Sequence, residues 1–249
     1  MIKITVCIVF GLLVLRPLAG FADPVGDALA RPGRLPADLE RDARSRPDAV
    51  LPLLQLQPGD RVADIWAGGG YYSELIASVV GEQGEVLLVN NAAYAAFAAE
   101  ALAERQSGRD PGSITVHTRE AEDLELGENA LDAALIVMSY HDLYHVDEAN
   151  GWRAIDPAHF LDQIFRALKP GGRFLVVDHH AQPGSGKSSA QDLHRIDVAF
   201  ARADIAAHGF VLVEESDVLR NPADDYSVMV FDPRVRGKTD RFVLVFKKP

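Results

Sequence analysis

The sequence of 249 residues contains a single cysteine, Cys7. One cysteine cannot form a disulfide within the chain or a metal site built on several thiolates. Basic residues are also scarce: 25 Lys and Arg stand against 36 Asp and Glu, which gives a formal net charge of −11. A surface with this balance repels phosphate backbones, and no basic cluster offsets it, so we expect no nucleic-acid partner.

The amino terminus carries an uncharged apolar run over residues 4–15, preceded by Lys3 and ended by Arg16. A membrane-spanning helix needs about 20 apolar residues, so this run is too short to be one. A basic residue, a short apolar stretch and a small residue at position 22 are typical of a secretory signal peptide. We expect residues 1–22 to be cleaved after Ala22, which leaves a periplasmic or secreted protein without a stable membrane anchor.

Length and composition favour one folded domain after this segment. Residues 23–46 are rich in Asp, Arg, Ala and Pro, with a short helix predicted over 36–44, and we interpret them as a strap or lid. Residues 47–249 are enough for one well-buried α/β domain and too few for two. The sequence does not indicate an oligomeric state.

Apolar strands alternate with amphipathic helices along this domain. The predicted strands cover residues 61–66, 85–90, 114–118, 131–138, 173–178, 210–214, 227–231 and 241–246, and the longer helices residues 72–79, 92–105, 157–168 and 193–208. Continuous apolar strands separated by helices indicate an α/β fold with a doubly wound, mostly parallel sheet. No long helix separates the last two predicted strands, so an antiparallel strand is expected near the carboxyl terminus.

The most informative motif runs from Val62 to Tyr71, VADIWAGGGY, where an apolar strand leads through three glycines into a helix. Glycine lets the backbone turn tightly and approach a ligand that any Cβ would block. The helix that follows directs its free N–H groups at the same space. The pattern predicts a binding site for a small cofactor, with Asp64 at the end of the strand within reach.

A second motif, Lys169-Pro-Gly-Gly172, separates a helix from the strand at 173–178. In this order and spacing the two motifs resemble the S-adenosylmethionine-dependent methyltransferases with a Rossmann-like fold, over residues 47–248. Further segments are similar to a group of bacterial proteins predicted to be methyltransferases, at residues 68–72, 178–180, 193–197, 221–225 and 240–249.

The resemblance implies S-adenosyl-L-methionine as cofactor and assigns roles to residues around the first three strands. Gly68 and Gly70 would approach its amino acid portion, with Asp64 on the ammonium group. Asn90 would meet the ribose hydroxyls where the family usually has Asp or Glu, and an amide lacks the charge that strengthens such a bond. The implied cofactor residues are Asp64, Ala67, Gly68, Gly70, Tyr71, Asn90, Glu120 and Ala121.

Two other nucleotide motifs fit less well. A nicotinamide-binding domain needs glycine or alanine at position 73, where this chain has Ser73, and an acid after the second strand. The segment 181–188, AQPGSGKS, resembles a relaxed phosphate-binding loop, but Ala181 replaces its first glycine and too few residues follow for the domain that such a loop requires.

Histidines cluster around two aspartates: His141 and His145 flank Asp142, and His179, His180 and His194 lie near Asp178. His141 and His179 are candidate catalytic bases that remove a proton from an oxygen or nitrogen nucleophile, with Asp178 orienting one of them. The alternative is a metal site with His and Asp ligands that orients the substrate, with Asp178 as a candidate ligand. We expect a methyltransferase that acts on a small molecule. An exported binding protein that retains the fold without the chemistry remains the alternative.

Overall fold

The computed structural model describes residues 23–107 and 112–249. The predicted signal peptide lies outside these residues. Within the described part of the chain, no helix has both the length and the apolar composition that a bilayer span requires.

The described residues form one mixed sheet of seven strands in the order β3-β2-β1-β4-β5-β7-β6. The first five strands along the chain pair in parallel, and β7 lies antiparallel between β5 and β6. This arrangement confirms the predicted α/β class and its antiparallel end. The strands are β1 (Arg61–Ile65), β2 (Glu85–Asn90), β3 (Ile114–Thr118), β4 (Leu131–Val137), β5 (Leu168–His179), β6 (Val211–Ser216) and β7 (Arg241–Lys247).

Apolar side chains of the central strands alternate between two cores, one on each face of the sheet. Val62 belongs to one core, whereas its neighbour Ala63 belongs to the other, because successive strand residues point to opposite faces. Both residues are fully buried. Burial on both faces explains why the strands are continuous apolar runs rather than alternating ones.

Helices cover both faces of the sheet and have recognisable ends. The helix after the glycines begins where Gly70 has a φ of 78°, and Asp156 caps another, with Pro157 at its first position as the sequence predicts. The helices are α1 (Pro24–Ala30), α2 (Pro36–Ser45), α3 (Pro47–Val50), α4 (Tyr71–Val80), α5 (Ala92–Phe97), α6 (Ala99–Gln106), α7 (Pro157–Ala167), α8 (Ala190–Leu193) and α9 (Val198–Ala207).

The segment 23–46 folds as α1 and α2 and lies against the start of α4. The Tyr71 hydroxyl donates to Asp42 at 2.7 Å, and the Tyr72 hydroxyl donates to the Ser45 carbonyl at 3.3 Å. Arg105 donates to the Gly69 carbonyl at 2.5 Å and pairs with Asp38 of α2 at 2.8 Å. These bonds attach the segment to the glycine loop, while its function as a strap or lid stays a prediction.

Two predicted helices are interrupted. The helix predicted over 92–105 forms as α5 and α6, which meet at Ala98. The prediction of one helix over 193–208 was wrong. Helix α8 ends at Leu193, because the next residue, His194, has a left-handed φ of 54° that cannot continue a right-handed helix. A new helix, α9, begins only after the Asp197 cap.

The strand predicted over 227–231 was also wrong, because this segment forms bends and turns. Its backbone groups bond to loops instead of to a sheet edge. The Val228 carbonyl accepts from Arg195 at 2.9 Å, and the Val230 N–H donates to the Leu193 carbonyl at 3.2 Å. The segment therefore supports the loop between α8 and α9.

A buried ion pair joins that loop to the carboxyl-terminal segment. Arg195 and Asp224 have fully buried side chains and form two parallel hydrogen bonds of 2.8 and 3.0 Å. Arg195 also donates to the His180 carbonyl at 3.0 Å, and Asp224 accepts from the Asp240 N–H at 2.8 Å. The pair therefore connects segments around residues 180, 195, 224 and 240.

Replacing Arg195 with Leu should lower the free energy of unfolding by about 3–5 kcal/mol, because it leaves the Asp224 carboxylate buried without its partner. Urea denaturation followed by circular dichroism measures this change. As a control, Arg234→Leu removes an exposed pair with Asp232 and should leave the midpoint nearly unchanged. Equal midpoints for the Arg195 variant and the wild type would contradict the prediction.

Candidate active site

The candidate site lies at the carboxyl edge of the sheet, where the strand order reverses between β1 and β4. In doubly wound sheets, ligands bind in the crevice at this position. The loops after β1 and β4 are in contact here, because the Ser139 hydroxyl donates to the Trp66 carbonyl at 3.5 Å. The end of β5 lies alongside, with Val137 paired to Val177.

The three glycines have different surroundings. Gly68 has a φ of 57°, and a Cβ built on it meets no atom within 4 Å. A Cβ on Gly69 would lie 2.7 Å from the Ala101 methyl group, and one on Gly70 would lie 2.7 Å from Leu88. Gly68 therefore borders open space, whereas Gly69 and Gly70 allow α6 and β2 to pack closely against the loop.

Asn90, at the end of β2, holds the glycine loop in place. The Gly68 N–H donates to Asn90 Oδ1 at 3.0 Å, and Asn90 Nδ2 donates to the Gly68 carbonyl at 3.0 Å. An aspartate could accept the first bond but could not donate the second. The amide at this position, where the family resemblance leads one to expect an acid, thus has a structural reason in this chain.

Asp64 lies behind the loop at the end of β1 and is only 2% exposed. Its carboxylate accepts a hydrogen bond of 2.6 Å from the Ser73 hydroxyl on α4. Burial raises the pKa of Asp64 to about 6, and the Ser73 hydrogen bond opposes part of that rise. A cationic group near this carboxylate would favour its ionised form.

The remaining predicted cofactor residues lie in the glycine loop, at the start of α4 and after β3. Ala67 donates its N–H to the Val89 carbonyl at 3.2 Å. Glu120 accepts from the Ala92 N–H at 3.2 Å and from Arg153 at 3.1 Å. Ala121 is buried, and its carbonyl accepts from Gln163 at 2.8 Å. The Tyr71 hydroxyl is held by Asp42, and burial, followed by this bond, raises the pKa of Tyr71.

The catalytic candidates meet around the fully buried carboxylate of Asp178, at the end of β5. One Asp178 oxygen contacts His141 Nδ1 at 2.8 Å, and the other accepts from the His141 backbone N–H at 2.8 Å. The His179 N–H also donates to Asp178, at 2.6 Å. The structure thus brings together all three residues that the sequence predicts.

The second ring nitrogen of His141 faces two other polar atoms. His141 Nε2 lies 3.2 Å from Asp142 Oδ1 and 3.2 Å from His194 Nδ1. Burial lowers the pKa of His141, but the carboxylates of Asp142 and Asp178 outweigh it and raise that pKa to about 10. Burial raises the pKa of Asp142, and the opposing effect of His141 brings it well below the usual range.

His179 has a different environment from His141. Its Nδ1 lies 2.7 Å from the Thr239 hydroxyl, and its ring centre lies 5.9 Å from that of His141. Burial, assisted by the nearby charge of His141, lowers the pKa of His179 well below its ordinary value. A neutral imidazole is the form that can accept a proton.

Tyr94, which the sequence did not single out as a site residue, connects the glycine loop to the histidines. Its ring stacks on Trp66 with centroids 5.4 Å apart, and its hydroxyl donates to Asp142. The adjacent His141 and Asp142 were a visible signal in the sequence. The contact with His194 had no local signal, because 53 positions separate it from His141.

Comparison with known proteins supports the family resemblance. Residues 63–176 match the methyltransferase domain model. The ubiquinone/menaquinone biosynthesis C-methyltransferase of Ectopseudomonas mendocina is 29% identical over 137 residues, which cover 55% of this chain and 48% of that protein. The chain thus spans about half the length of these curated relatives.

Solved structures agree on the fold. A methyltransferase of Aquifex aeolicus, described as S-adenosylmethionine-dependent, superposes with a TM-score of 0.58 at 17% identity, covering 86% of this chain and 94% of that one. A Haloferax volcanii structure, a complex between the Trm112 methyltransferase activator and a putative methyltransferase, gives a TM-score of 0.59 at 18% identity, with 91% and 98% coverage. Residues 63–176 of the chain are thus similar to a methyltransferase domain, and the described residues share the Rossmann-like fold of S-adenosylmethionine-dependent methyltransferases of known structure.

Proposed function

We propose that this protein binds S-adenosyl-L-methionine beside Gly68 and methylates a small molecule held next to His179. One observation carries the proposal: the open side of Gly68 and the group formed by His141, Asp178 and His179 lie at the same carboxyl edge, joined through Trp66 and Tyr94. Methyl transfer needs two partners in line, so its main structural requirement is adjacent binding sites.

The residues around Gly68 fit the cofactor. Its φ of 57° and the free space at its Cβ position make a surface that a ligand can approach closely. Asp64 supplies a carboxylate behind the loop for the ammonium group. The family resemblance assigns Asn90 to the ribose, and Glu120 and Ala121 to the adenine. When bound, the cofactor supplies a methyl carbon on a sulfonium sulfur.

Among the two histidines predicted as bases, His179 is the better placed. Both ring nitrogens of His141 already face polar partners, Asp178 on one side and Asp142 with His194 on the other. Only one ring nitrogen of His179, Nδ1, has a partner among the described residues, the Thr239 hydroxyl. We therefore assign to His179 Nε2 the role of accepting the proton of an oxygen or nitrogen nucleophile.

The acceptor is a small molecule rather than a nucleic acid. The formal net charge of −11 disfavours any polyanionic substrate. We also propose that the protein acts outside the cytoplasm, on the strength of the amino-terminal apolar run.

Cofactor binding is tested by calorimetric titration with S-adenosylhomocysteine. We expect Gly68→Val to abolish saturable binding, because a branched side chain would fill the open space beside the loop. Gly59→Val is the matched control, since Gly59 also has a positive φ and free space but precedes β1 at the opposite edge. Equal binding by both variants would overturn the cofactor site.

We expect His179→Gln to slow methyl transfer by about 10²–10⁴-fold while leaving the affinity for S-adenosylhomocysteine nearly unchanged. The assay is a turnover screen against phenols, amines and thiols, with His208→Gln, a distant substitution, as control. Unchanged turnover in His179→Gln would exclude it as the base. If the wild type binds the cofactor product but methylates nothing, the protein is a binding module.

Export predicts a mature amino terminus at Asp23. Mass spectrometry of the native protein, recovered from separate cell fractions, measures this directly. A soluble cytoplasmic species that retains Met1 or Ile2 would refute the proposal.

A further inference from the structure

Three ligand-type atoms from His141, Asp142 and His194 converge beside the proposed catalytic histidine. His141 Nε2 lies 3.2 Å from Asp142 Oδ1 and 3.2 Å from His194 Nδ1, and the third side of the triangle, from His194 Nδ1 to Asp142 Oδ1, is 3.5 Å. No other group of three or more His, Cys, Asp or Glu side chains within the described residues meets in this way. The base assignment uses this convergence only to set His141 aside, and the cofactor site does not use it.

The triangle has the dimensions of one face of a tetrahedral metal site. Zinc binds histidine nitrogen and carboxylate oxygen at about 2.0–2.2 Å, so two ligands at a tetrahedral angle lie about 3.3 Å apart. Octahedral neighbours at about 2.1 Å would be closer, at about 3.0 Å. The three sides of 3.2, 3.2 and 3.5 Å match the tetrahedral spacing better.

His141 and Asp142 each have a hydrogen-bond partner on the side that faces away from the triangle, as metal ligands usually do. His141 directs Nδ1 at Asp178 at 2.8 Å, which places the lone pair of Nε2 toward the triangle. Carboxylates that hold the far nitrogen of a ligating histidine are a regular feature of zinc sites. The second Asp142 oxygen accepts from the Tyr94 hydroxyl, so that Oδ1 is left to face the histidines.

His194 is brought to the triangle at an energetic cost. Its φ of 54° is left-handed, a conformation that is unfavourable for a residue with a Cβ. The neighbouring Arg195, held by Asp224, keeps the loop in this conformation. The side chain of His194 is 17% exposed, whereas those of His141 and Asp142 are 3% and 9% exposed, so an ion has a path from solvent past His194.

We propose that His141, Asp142 and His194 bind a divalent transition-metal ion, with zinc as the best match. Two neutral imidazoles and one carboxylate leave a net charge of +1 on the bound ion and its ligands. Three protein ligands also leave a fourth position open, as in catalytic zinc sites. An oxygen or nitrogen donor fills that fourth position. The identity of this donor rests on the proposed function, under which it is the methyl acceptor.

The test uses protein purified without a polyhistidine tag and stripped by a chelator. Zn²⁺ alone is titrated by calorimetry, and elemental analysis then counts the retained ions. We expect one ion per chain in the wild type, no stoichiometric ion in His194→Gln, and at least about 10-fold weaker binding in Asp142→Asn. Co²⁺ in place of zinc should give the visible absorption of a four-coordinate ion.

His145→Gln is the matched control, because the His145 ring centre lies 4.5 Å from that of His194 but its Nδ1 contacts the Gln191 carbonyl instead of the triangle. It should retain the ion. No binding by the wild type, or equal binding by the His194 and His145 variants, would overturn the site. Circular dichroism checks the fold of each variant, and Asp142→Asn tests the triangle should His194→Gln fail to fold.

The metal site and the proposed methyl transfer are distinguishable in the same preparation. S-adenosylhomocysteine is titrated into the metal-free protein, and Zn²⁺ is titrated in the absence of that compound. Metal binding without cofactor binding would support the site and contradict the proposed function. Cofactor binding without metal binding would contradict the metal site and support the proposed function.

Discussion

The geometry of the site depends on the fully buried carboxylate of Asp178. It accepts hydrogen bonds from the backbone N–H groups of His141 and His179, and it contacts the His141 ring. An ionised carboxyl group without water is strongly destabilised unless polar partners surround it. The hydrogen bonds to the Asp178 carboxylate hold the turn after β4 against the end of β5. They thereby fix which nitrogen of His141 faces the cleft.

A second constraint operates from outside the cleft. Arg195 and Asp224 are buried as a pair, and their hydrogen bonds reach the backbone at His180, Val228 and Asp240. The loop that carries His194 is held by this network rather than by a helix. Asp224 thus stabilises the position of His194 by holding the neighbouring Arg195, even though the segment around Asp224 forms turns.

The sequence predicts the sheet well because its signals are local. Continuous apolar runs, the glycines after β1 and the Asp156-Pro157 cap each act over a few positions, and the structure has the elements they indicate. The two wrong secondary-structure predictions, at residues 193–208 and 227–231, have long-range causes. The break at His194 depends on Arg195 meeting Asp224, and residues 227–231 satisfy their backbone through loops. The triangle likewise unites residues 53 positions apart, a pairing that no local pattern contains.

Three of the eight described residues that have a Cβ and a positive φ lie around the cleft. Trp66 after β1, Met138 after β4 and His194 after α8 have φ values of 52°, 57° and 54°. Such conformations persist only where the surrounding contacts over-determine them. Trp66 is held by stacking on Tyr94, Met138 by donating its N–H to the Val177 carbonyl, and His194 by its neighbour's ion pair. Trp66 and Met138 turn the chain at the carboxyl ends of β1 and β4, and His194 turns it after α8, so part of the backbone strain lies around the cleft. The well-packed sheet supports it, because regular pairing across β1, β4 and β5 leaves those strand ends no freedom to relax.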